Sequence, residues 1–117
     1  MKYVDGYVLP VPKKKMQAYR RMAEVAKKVW REHGALDYVE AAADDVKKGR
    51  WTSFPQSVKL KVGETVVFAF VIFKSRAHRD LVNKKAMNDP RLRCDLKAMP
   101  FDGKRMFWGG FKAIVEA

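Results

Sequence analysis

The first third of the chain changes from an alternating to a helical pattern of hydrophobic residues. Successive side chains in residues 2–9 alternate between two sides with a period of two, and the segment is rich in strand-forming residues. This pattern predicts a first strand. Pro10 and Pro12 are expected to stop this strand, because proline lacks the N–H that a strand ladder needs. Apolar residues then recur at steps of three and four from residue 13 to residue 33, which predicts a long helix closed by Gly34.

Three further strands and a second long helix are predicted after the first helix. The strands are expected at residues 35–43, 65–73 and 105–115, where strand-forming and aromatic residues concentrate. The second helix is expected from residue 76 to about residue 88, with Ser75 as its N-cap.

The connecting segments carry weaker signals. Phe54 and the proline after it predict a short helical turn, and Trp51 and Phe54 are expected to pack this loop onto the body of the molecule. A further helical turn is predicted at residues 91–97 and turn chemistry at residues 99–104. The glycine pair in the fourth strand indicates a bulge or a close backbone approach.

The order of these elements is β-α-β-β-α-β, which predicts an α+β, ferredoxin-like domain spanning residues 1–117. In this arrangement a four-stranded antiparallel sheet carries both helices on one face. An antiparallel sheet normally has one polar face, but the third and fourth strands are apolar on both sides. A second subunit is the expected cover for the other face, so we predict a homodimer with its sheets packed face to face.

Length and composition restrict the class of protein. The chain has 117 residues, the length of a single domain, and 48% of them are hydrophobic, which is enough for a core. Cys94 is the single cysteine, which excludes an internal disulfide and a multi-cysteine metal site and fits a reducing compartment. The longest apolar run, residues 66–73, is far shorter than the roughly 20 residues that span a bilayer. We therefore expect a cytoplasmic protein with no membrane partner.

The net charge of +12, from 25 Lys and Arg against 13 Asp and Glu, raises nucleic-acid binding as a rival hypothesis. One face of the first helix concentrates basic residues at a spacing of seven: Lys13, Arg20 and Lys27, then Lys14, Arg21 and Lys28, with Arg31 extending the row. Exposed helix faces are ordinarily charged, however, and this face has no recognition pattern of Asn or Gln among its basic residues. A solvated face is the favoured interpretation, and nucleic acid is the less favoured partner.

Three separated segments carry distinctive motifs. They are MKYVDGYV at residues 1–8, followed by Pro10 and Pro12; SRAHRD at residues 75–80; and MPFDGKRM at residues 99–106, followed by Gly109, Gly110 and Phe111. Together they resemble the YbaA-like family of bacterial proteins of unknown function, over essentially the whole chain. The resemblance implies a fold similar to the dimeric α+β barrels and no particular activity. That broad superfamily includes cofactor-independent monooxygenases, small isomerases, haem enzymes and amino-acid-sensing modules, so the likeness does not narrow the function.

Asp5 and His78 are the candidate catalytic residues. Asp5 lies in the middle of the first strand, where a buried carboxylate needs a partner. His78 lies in the first turn of the second helix and can face a cavity between helix and sheet. A carboxylate–imidazole pair beside a tyrosine is suited to taking a proton from a substrate. The alternatives are a structural salt bridge or an edge position for Asp5, and a partly buried His78 paired with Asp80.

The remaining candidates are aromatic or imidazole side chains expected to line a pocket between the sheet and its helices. They are Tyr7, Trp30, His33, Phe68, Phe70 and Trp108. His33 ends the first helix, where a cation is favourable for electrostatic reasons alone, so a structural role is its alternative. Several of the aromatic residues are equally well explained as packing.

No metal site or cofactor is predicted. The sequence contains no His-x-x-x-His or paired Cys/His spacing, and the glycine pair fits no nucleotide-binding fingerprint. A lone cysteine is usually inert. The favoured hypothesis is a cytoplasmic homodimer that binds a small organic molecule between each sheet and its helices. Whether it is a cofactor-independent enzyme or a non-catalytic binding or structural module is left open by the residues.

Overall fold

A four-stranded antiparallel sheet forms the centre of the molecule in the computed structural model, which describes residues 1–92 and 99–117. The strands are β1 (Tyr3–Pro12), β2 (Asp37–Ala42), β3 (Glu64–Phe73) and β4 (Phe107–Lys112), in the order β2-β3-β1-β4. The two long strands, β1 and β3, pair along their full length in the middle of the sheet. The α+β class and the antiparallel four-stranded sheet predicted from the sequence are confirmed.

Two long helices, α1 (Met16–Glu32) and α3 (Arg76–Met87), pack on one face of this sheet. Tyr19 of α1 is buried against Leu9 and Val67, and Val82 of α3 is buried against Phe73. These strand residues are odd-numbered, and side chains alternate between the faces of a strand, so the odd positions of β1 and β3 form the helix-facing core. A short helix, α2 (Phe54–Ser57), lies between β2 and β3.

The even-numbered positions of β1 and β3 point to the opposite face, which we call the open sheet face. Its members lie opposite one another in the strand pairs and are mostly aromatic or branched: Val4, Val39, Phe68, Phe70, Ile72, Phe107 and Phe111. One end of this face is covered, because Val58 after α2 is buried against Val8 and Val66. Elsewhere it meets solvent, with Phe68 42% exposed and Phe111 64% exposed.

The first strand continues through Pro12, so the prediction that Pro10 and Pro12 stop it is wrong. Pairing with β4 ends at Val8, whereas pairing with β3 runs on to Pro12. The carbonyl of Lys2 accepts a hydrogen bond from the N–H of Ala113, so even-numbered residues of β1 direct their backbone groups toward β4. Pro10 and Pro12 are even-numbered and lie beyond the end of β4, where no strand lies beside them on that side. The N–H that proline lacks would therefore have no partner in the sheet, so proline is tolerated at both positions.

The other predicted elements are found with shifts of a few residues at their ends. Residues Lys13–Lys15 form a 3-10 turn before α1, and β4 is shorter than predicted. The hydroxyl of Ser75 accepts a hydrogen bond from the N–H of His78, which confirms the predicted N-cap of α3. A 3-10 turn, Pro90–Leu92, begins the predicted helical turn at 91–97, whose remainder, including Cys94, lies outside the described residues.

The loop before α2 is attached to the body through only one of its two predicted aromatic contacts. Phe54 packs edge-on against Phe68, with ring centroids 6.0 Å apart, as expected. Trp51 is 85% exposed and contacts the guanidinium of Arg50 at 5.0 Å, so its predicted packing onto the body is wrong. In the part of the chain that the structure describes, no helix is long and apolar enough to cross a membrane.

Gly34 ends α1 in a backbone conformation that other residues rarely adopt, with φ of 119°. A side-chain Cβ at this position would also lie 3.3 Å from Nε2 of His78. We expect Gly34→Ala to lower the free energy of unfolding by about 1–2 kcal/mol, because the left-handed region is strained for an L-residue.

Chemical denaturation of this variant tests the expectation, with Gly103→Ala as the control. A Cβ added at Gly103 would meet no heavy atom within 4 Å, and the φ of this glycine is not positive, so its substitution should change stability by less than about 0.5 kcal/mol. Equal effects at the two positions would show that the conformation of Gly34 is not a constraint on the fold.

Candidate ligand-binding cavity between helix α1 and the sheet

A cavity of about 210 Å³ lies between α1 and the helix-facing side of the sheet. Three alanines line it, Ala23 and Ala26 of α1 and Ala69 of β3, and their small side chains leave space between the helix and the sheet. Its walls are apolar and aromatic apart from one carboxylate: Tyr7, Leu9, Tyr19, Met22, Ala23, Ala26, Trp30, Tyr38, Glu40, Ala69, Val71, Phe101 and Met106. Among the lining residues that the structure describes, Glu40 is the only charged one. Such a mainly apolar site with a few polar groups is typical of small-molecule pockets.

The carboxylate of Glu40 is held by two tyrosine hydroxyls. The hydroxyl of Tyr19, on α1, donates to Oε1, and the hydroxyl of Tyr38, two residues earlier on β2, donates to Oε2 at 2.6 Å. Burial and the adjacent Glu40 carboxylate raise the pKa of both tyrosines well above the ordinary value. Both phenols therefore stay protonated and keep donating to the carboxylate.

A wider groove of about 470 Å³ adjoins the cavity on the outer side of α1. Tyr19, Tyr38 and Glu40 line both spaces, so the carboxylate lies where the inner cavity meets the outer groove. The rim of the groove carries the charged side chains of Arg20, Glu24 and Lys27 on α1, of which Glu24 and Lys27 form an ion pair at 2.6 Å.

The segment before β4 closes another side of the cavity. Phe101 packs edge-on against Tyr19, with ring centroids 5.8 Å apart, and Met106 also lines the space. Arg105 anchors this segment through two hydrogen bonds to Glu64, at 2.8 and 2.7 Å, and one to Asp102 at 2.8 Å. These bonds from Arg105 lower the pKa of both carboxyl groups, and the fork geometry fixes where the segment lies.

Asp5 is fully buried next to the cavity wall and is bound from α3. The amide nitrogen of Asn83 donates to Oδ2 of Asp5 at 3.2 Å, and Nε of Arg79 lies 3.8 Å from Oδ1. The other end of the Asn83 amide accepts from Nε1 of Trp30 at 2.9 Å, so Asn83 connects a cavity-lining indole to the buried carboxylate. Burial raises the pKa of Asp5, opposed by the Asn83 hydrogen bond and by the charge of Arg79.

Arg79 is positioned by contacts on its other side. Its Nη2 donates to the hydroxyl of Tyr3 at 3.1 Å, and the guanidinium lies 5.0 Å from the centre of the Tyr3 ring. A Cβ on Gly110 would lie 2.8 Å from Nη2 of Arg79 and would overlap the Tyr3 ring. The close approach predicted for the glycine pair is therefore found at Gly110, where side chains from β1 and α3 meet β4.

His78 does not contact Asp5, so the predicted carboxylate–imidazole pair is not formed. Nδ1 of His78 accepts from the backbone N–H of Lys74 at 3.0 Å, and the ring packs edge-on against Phe73. The predicted alternative partner, Asp80, pairs instead with Arg79 at 3.2 Å. Arg79 and Asn83, four residues apart, share the face of α3 that meets Asp5, and His78 is turned away from that face.

Two of the predicted lining residues, Tyr7 and Trp30, reach the cavity. Trp108 stacks behind Tyr7 from β4, with ring centroids 5.8 Å apart and planes 20° apart, and it supports the wall rather than lining it. Burial, together with the charge of Asp5, raises the pKa of Tyr7 to about 12.

The other three predicted lining residues lie elsewhere. Phe68 and Phe70 are even-numbered positions of β3 and lie on the open sheet face, because Ala69 and Val71 take the helix-facing positions. His33, at the end of α1, bonds to Asp89 at 2.9 Å, which supports its alternative structural role. Among the residues described, no three His, Cys, Asp or Glu side chains come together as metal ligands.

Sequence reasoning missed Tyr19, Tyr38, Glu40 and Asn83 as site residues. Tyr38 and Glu40 carry a usable signal, because residues two apart on a strand share a face and a charged residue there requires a partner. Tyr19 lies on the apolar stripe of the first helix, which indicates packing rather than binding. Asn83 becomes informative only when α3 is placed over β1.

The raised pKa of Asp5 has a measurable consequence. The folded protein holds the Asp5 proton more tightly than the unfolded chain, whose carboxyl titrates near 3.8. The contribution of Asp5 to the free energy of unfolding should therefore fall as pH rises from below 3.8 through the higher pKa of the folded state. Denaturation of the parent chain and of Asp5→Asn between about pH 3 and pH 7 measures this, because the parent chain should lose stability relative to the variant as pH rises. If the parent chain instead gains stability relative to the variant as pH rises, the charge of Arg79 affects the pKa of Asp5 more strongly than burial does.

Comparison with known proteins identifies the family of this chain but does not identify a function. The family model described as "Protein of unknown function (DUF1428)" matches residues 2–103. "Uncharacterized protein YbaA" of Escherichia coli K12 is 47% identical over 116 residues, covering 99% of each chain, and the protein of that name from Shigella flexneri matches equally. Among solved structures, the "De novo designed protein Foldit4" aligns with a TM-score of 0.48 at 8% identity, covering 97% of this chain and 99% of that one. The chain thus belongs to the DUF1428 family of proteins of unknown function, and the predicted resemblance to the YbaA-like proteins is confirmed.

Proposed function

We propose that this protein binds a small organic molecule in the cavity between α1 and the sheet. The observation that carries the proposal is the pairing of apolar walls with a single polar cluster, Tyr19, Tyr38 and Glu40, at the mouth of the cavity. Apolar walls supply binding energy, and a few fixed polar groups orient the ligand. The adjoining groove supplies a route from solvent to that cluster.

Binding is better supported than catalysis. The two residues proposed to handle protons, Asp5 and His78, have separate partners, and Asp5 is fully buried behind the cavity wall. Both oxygens of the Glu40 carboxylate already accept a hydrogen bond from a tyrosine hydroxyl, an arrangement suited to holding a ligand in place. A cofactor-independent reaction remains the finer hypothesis, with Glu40 and Tyr7 as the groups that a bound substrate would meet.

We further propose that the protein is a cytoplasmic homodimer of the ferredoxin-like, dimeric α+β barrel type. The strand order and the two long helices on one side support this assignment. The exposure of Phe68, Phe107 and Phe111 supports a second copy seated on the open sheet face, since exposed clusters of large apolar side chains mark interaction surfaces. A sheet face of like composition on each copy makes the contact self-complementary.

Nucleic-acid binding by α1 is less well supported. Two of the seven basic residues on the predicted face are engaged, because Lys27 pairs with Glu24 and Arg31 donates to the backbone carbonyl of Ala35 at 3.1 Å. A phosphate backbone would have to compete with these contacts.

Filling the cavity should abolish ligand binding without unfolding the chain. Ala26 lines the cavity, whereas Ala18, on the same helix, is exposed. We expect benzyl alcohol, a neutral probe of suitable size, to shift the NMR signals of cavity-lining methyl groups in the parent chain and in Ala18→Phe. Ala26→Phe should show no saturable shifts, because the added ring occupies the space. Unchanged binding in a folded Ala26→Phe, or no binding to the parent chain, would contradict the proposed site.

The proposed assembly is tested by mass in solution. The 13.5 kDa chain should sediment as a dimer of twice that mass. Phe111→Lys should convert it to a monomer. The side chain at this position is 64% exposed in a single copy, so a lysine is tolerated there, but in the dimer its charged ammonium group would be removed from water. Leu81→Lys is the control, since Leu81 is 52% exposed on α3, away from the open sheet face, and this variant should remain dimeric. A monomeric parent chain at micromolar concentration would overturn the proposal.

A further inference from the structure

The cavity has a charge opposite to that of the protein as a whole. The chain carries a formal net charge of +12, yet the one charged group among the described lining residues is the carboxylate of Glu40. No lysine or arginine side chain is among the described residues that line this inner space. The adjoining groove, by contrast, is lined by two basic residues of α1, Arg20 and Lys27, of which Lys27 is paired with Glu24.

Aromatic side chains line the cavity beside this carboxylate. Tyr19 and Tyr38 contact it directly, and Trp30 is tilted against Tyr38 with ring centroids 6.4 Å apart. Phe101 closes the space edge-on against Tyr19. Aromatic faces attract organic cations, and several rings around a carboxylate form the type of enclosure that holds ammonium groups.

Glu40 retains capacity for a ligand. An ionised carboxylate has about four lone-pair sites, and the tyrosine hydroxyls use one on each oxygen. The tyrosines fix the orientation of the group, so a ligand that donates to it meets a preformed acceptor. A carboxylate or phosphate ligand inside the cavity would instead meet like charge, because the described residues that line this inner space include no lysine or arginine.

We propose that the ligand is a small organic cation, an ammonium group attached to an apolar body of about one ring. This inference rests on the proposed function of the cavity and specifies its ligand class. Glu40 binds the ammonium group, and the walls formed by Tyr7, Trp30 and Phe101 enclose the apolar body. At about 30 Å³ per liquid water, a cavity of about 210 Å³ holds roughly seven waters, which is the space of a single substituted ring.

Three probes that share one ring and differ in charge test the inference. Benzylammonium, benzyl alcohol and benzoate are titrated at pH 7 into the full chain, and affinity is read from the NMR shifts of cavity-lining methyl groups. We expect benzylammonium to bind about tenfold more tightly than benzyl alcohol, because a charge-assisted hydrogen bond and cation–π contacts are added. Benzoate should bind more weakly than either.

Glu40→Gln should remove the preference for the cation, because the amide keeps the shape of the side chain but carries no charge, so benzylammonium and benzyl alcohol should bind this variant about equally. Glu24→Gln is the matched control, since it makes the same charge change on the outer rim and should keep the preference. Equal or stronger binding of benzyl alcohol or benzoate to the parent chain would overturn the cation inference and leave the binding site standing. Failure of all three probes to bind would instead count against the proposed function itself.

Discussion

The pairing of β1 with β3 is the constraint on which the rest of the structure depends. The two strands match residue for residue from Tyr3 opposite Phe73 to Pro12 opposite Glu64. Because side chains alternate along a strand, this register sends Tyr7 and Ala69 to the helices and Val8 and Phe68 to the other side. A slip of one residue would exchange the two faces. The cavity, the buried Asp5 and the open sheet face are all consequences of the same alignment.

Two carboxylates, the fully buried Asp5 and the partly buried Glu40, show how the fold handles charge under its helices. Asp5 is enclosed by Asn83 and Arg79 of α3, and its Oδ1 and the Arg79 Nε lack hydrogen-bond partners among the described atoms. Glu40 is satisfied by two tyrosines and faces an open space. The first arrangement is a structural network, since Asp5 lines neither the cavity nor the adjoining groove. The second leaves acceptor capacity exposed to a cavity, which is why it carries the functional proposals.

The motif segment at 99–106 acquires a physical meaning from these contacts. Arg105 holds the segment to Glu64 on β3 through paired hydrogen bonds, and the segment in turn places Phe101 against Tyr19. The cavity is thus closed by residues far from α1 in the chain. The resemblance identified from the sequence lies partly in residues that shape the cavity wall, although the resemblance alone implied no site.

The order and type of the elements were determined by local patterns in the sequence, because periodicity, the Ser75 cap and the left-handed Gly34 act within a few residues. The need of Asp5 for a partner was equally local, since it follows from burying a charge. Only the tertiary structure decided which face of β3 meets the helices, because an apolar strand has no polar side to mark its orientation. It also decided that Asn83 and Arg79, rather than His78, reach Asp5, and that Glu40 meets Tyr19. Those contacts depend on the position and rotation of helices over strands, which are set by packing across the whole domain.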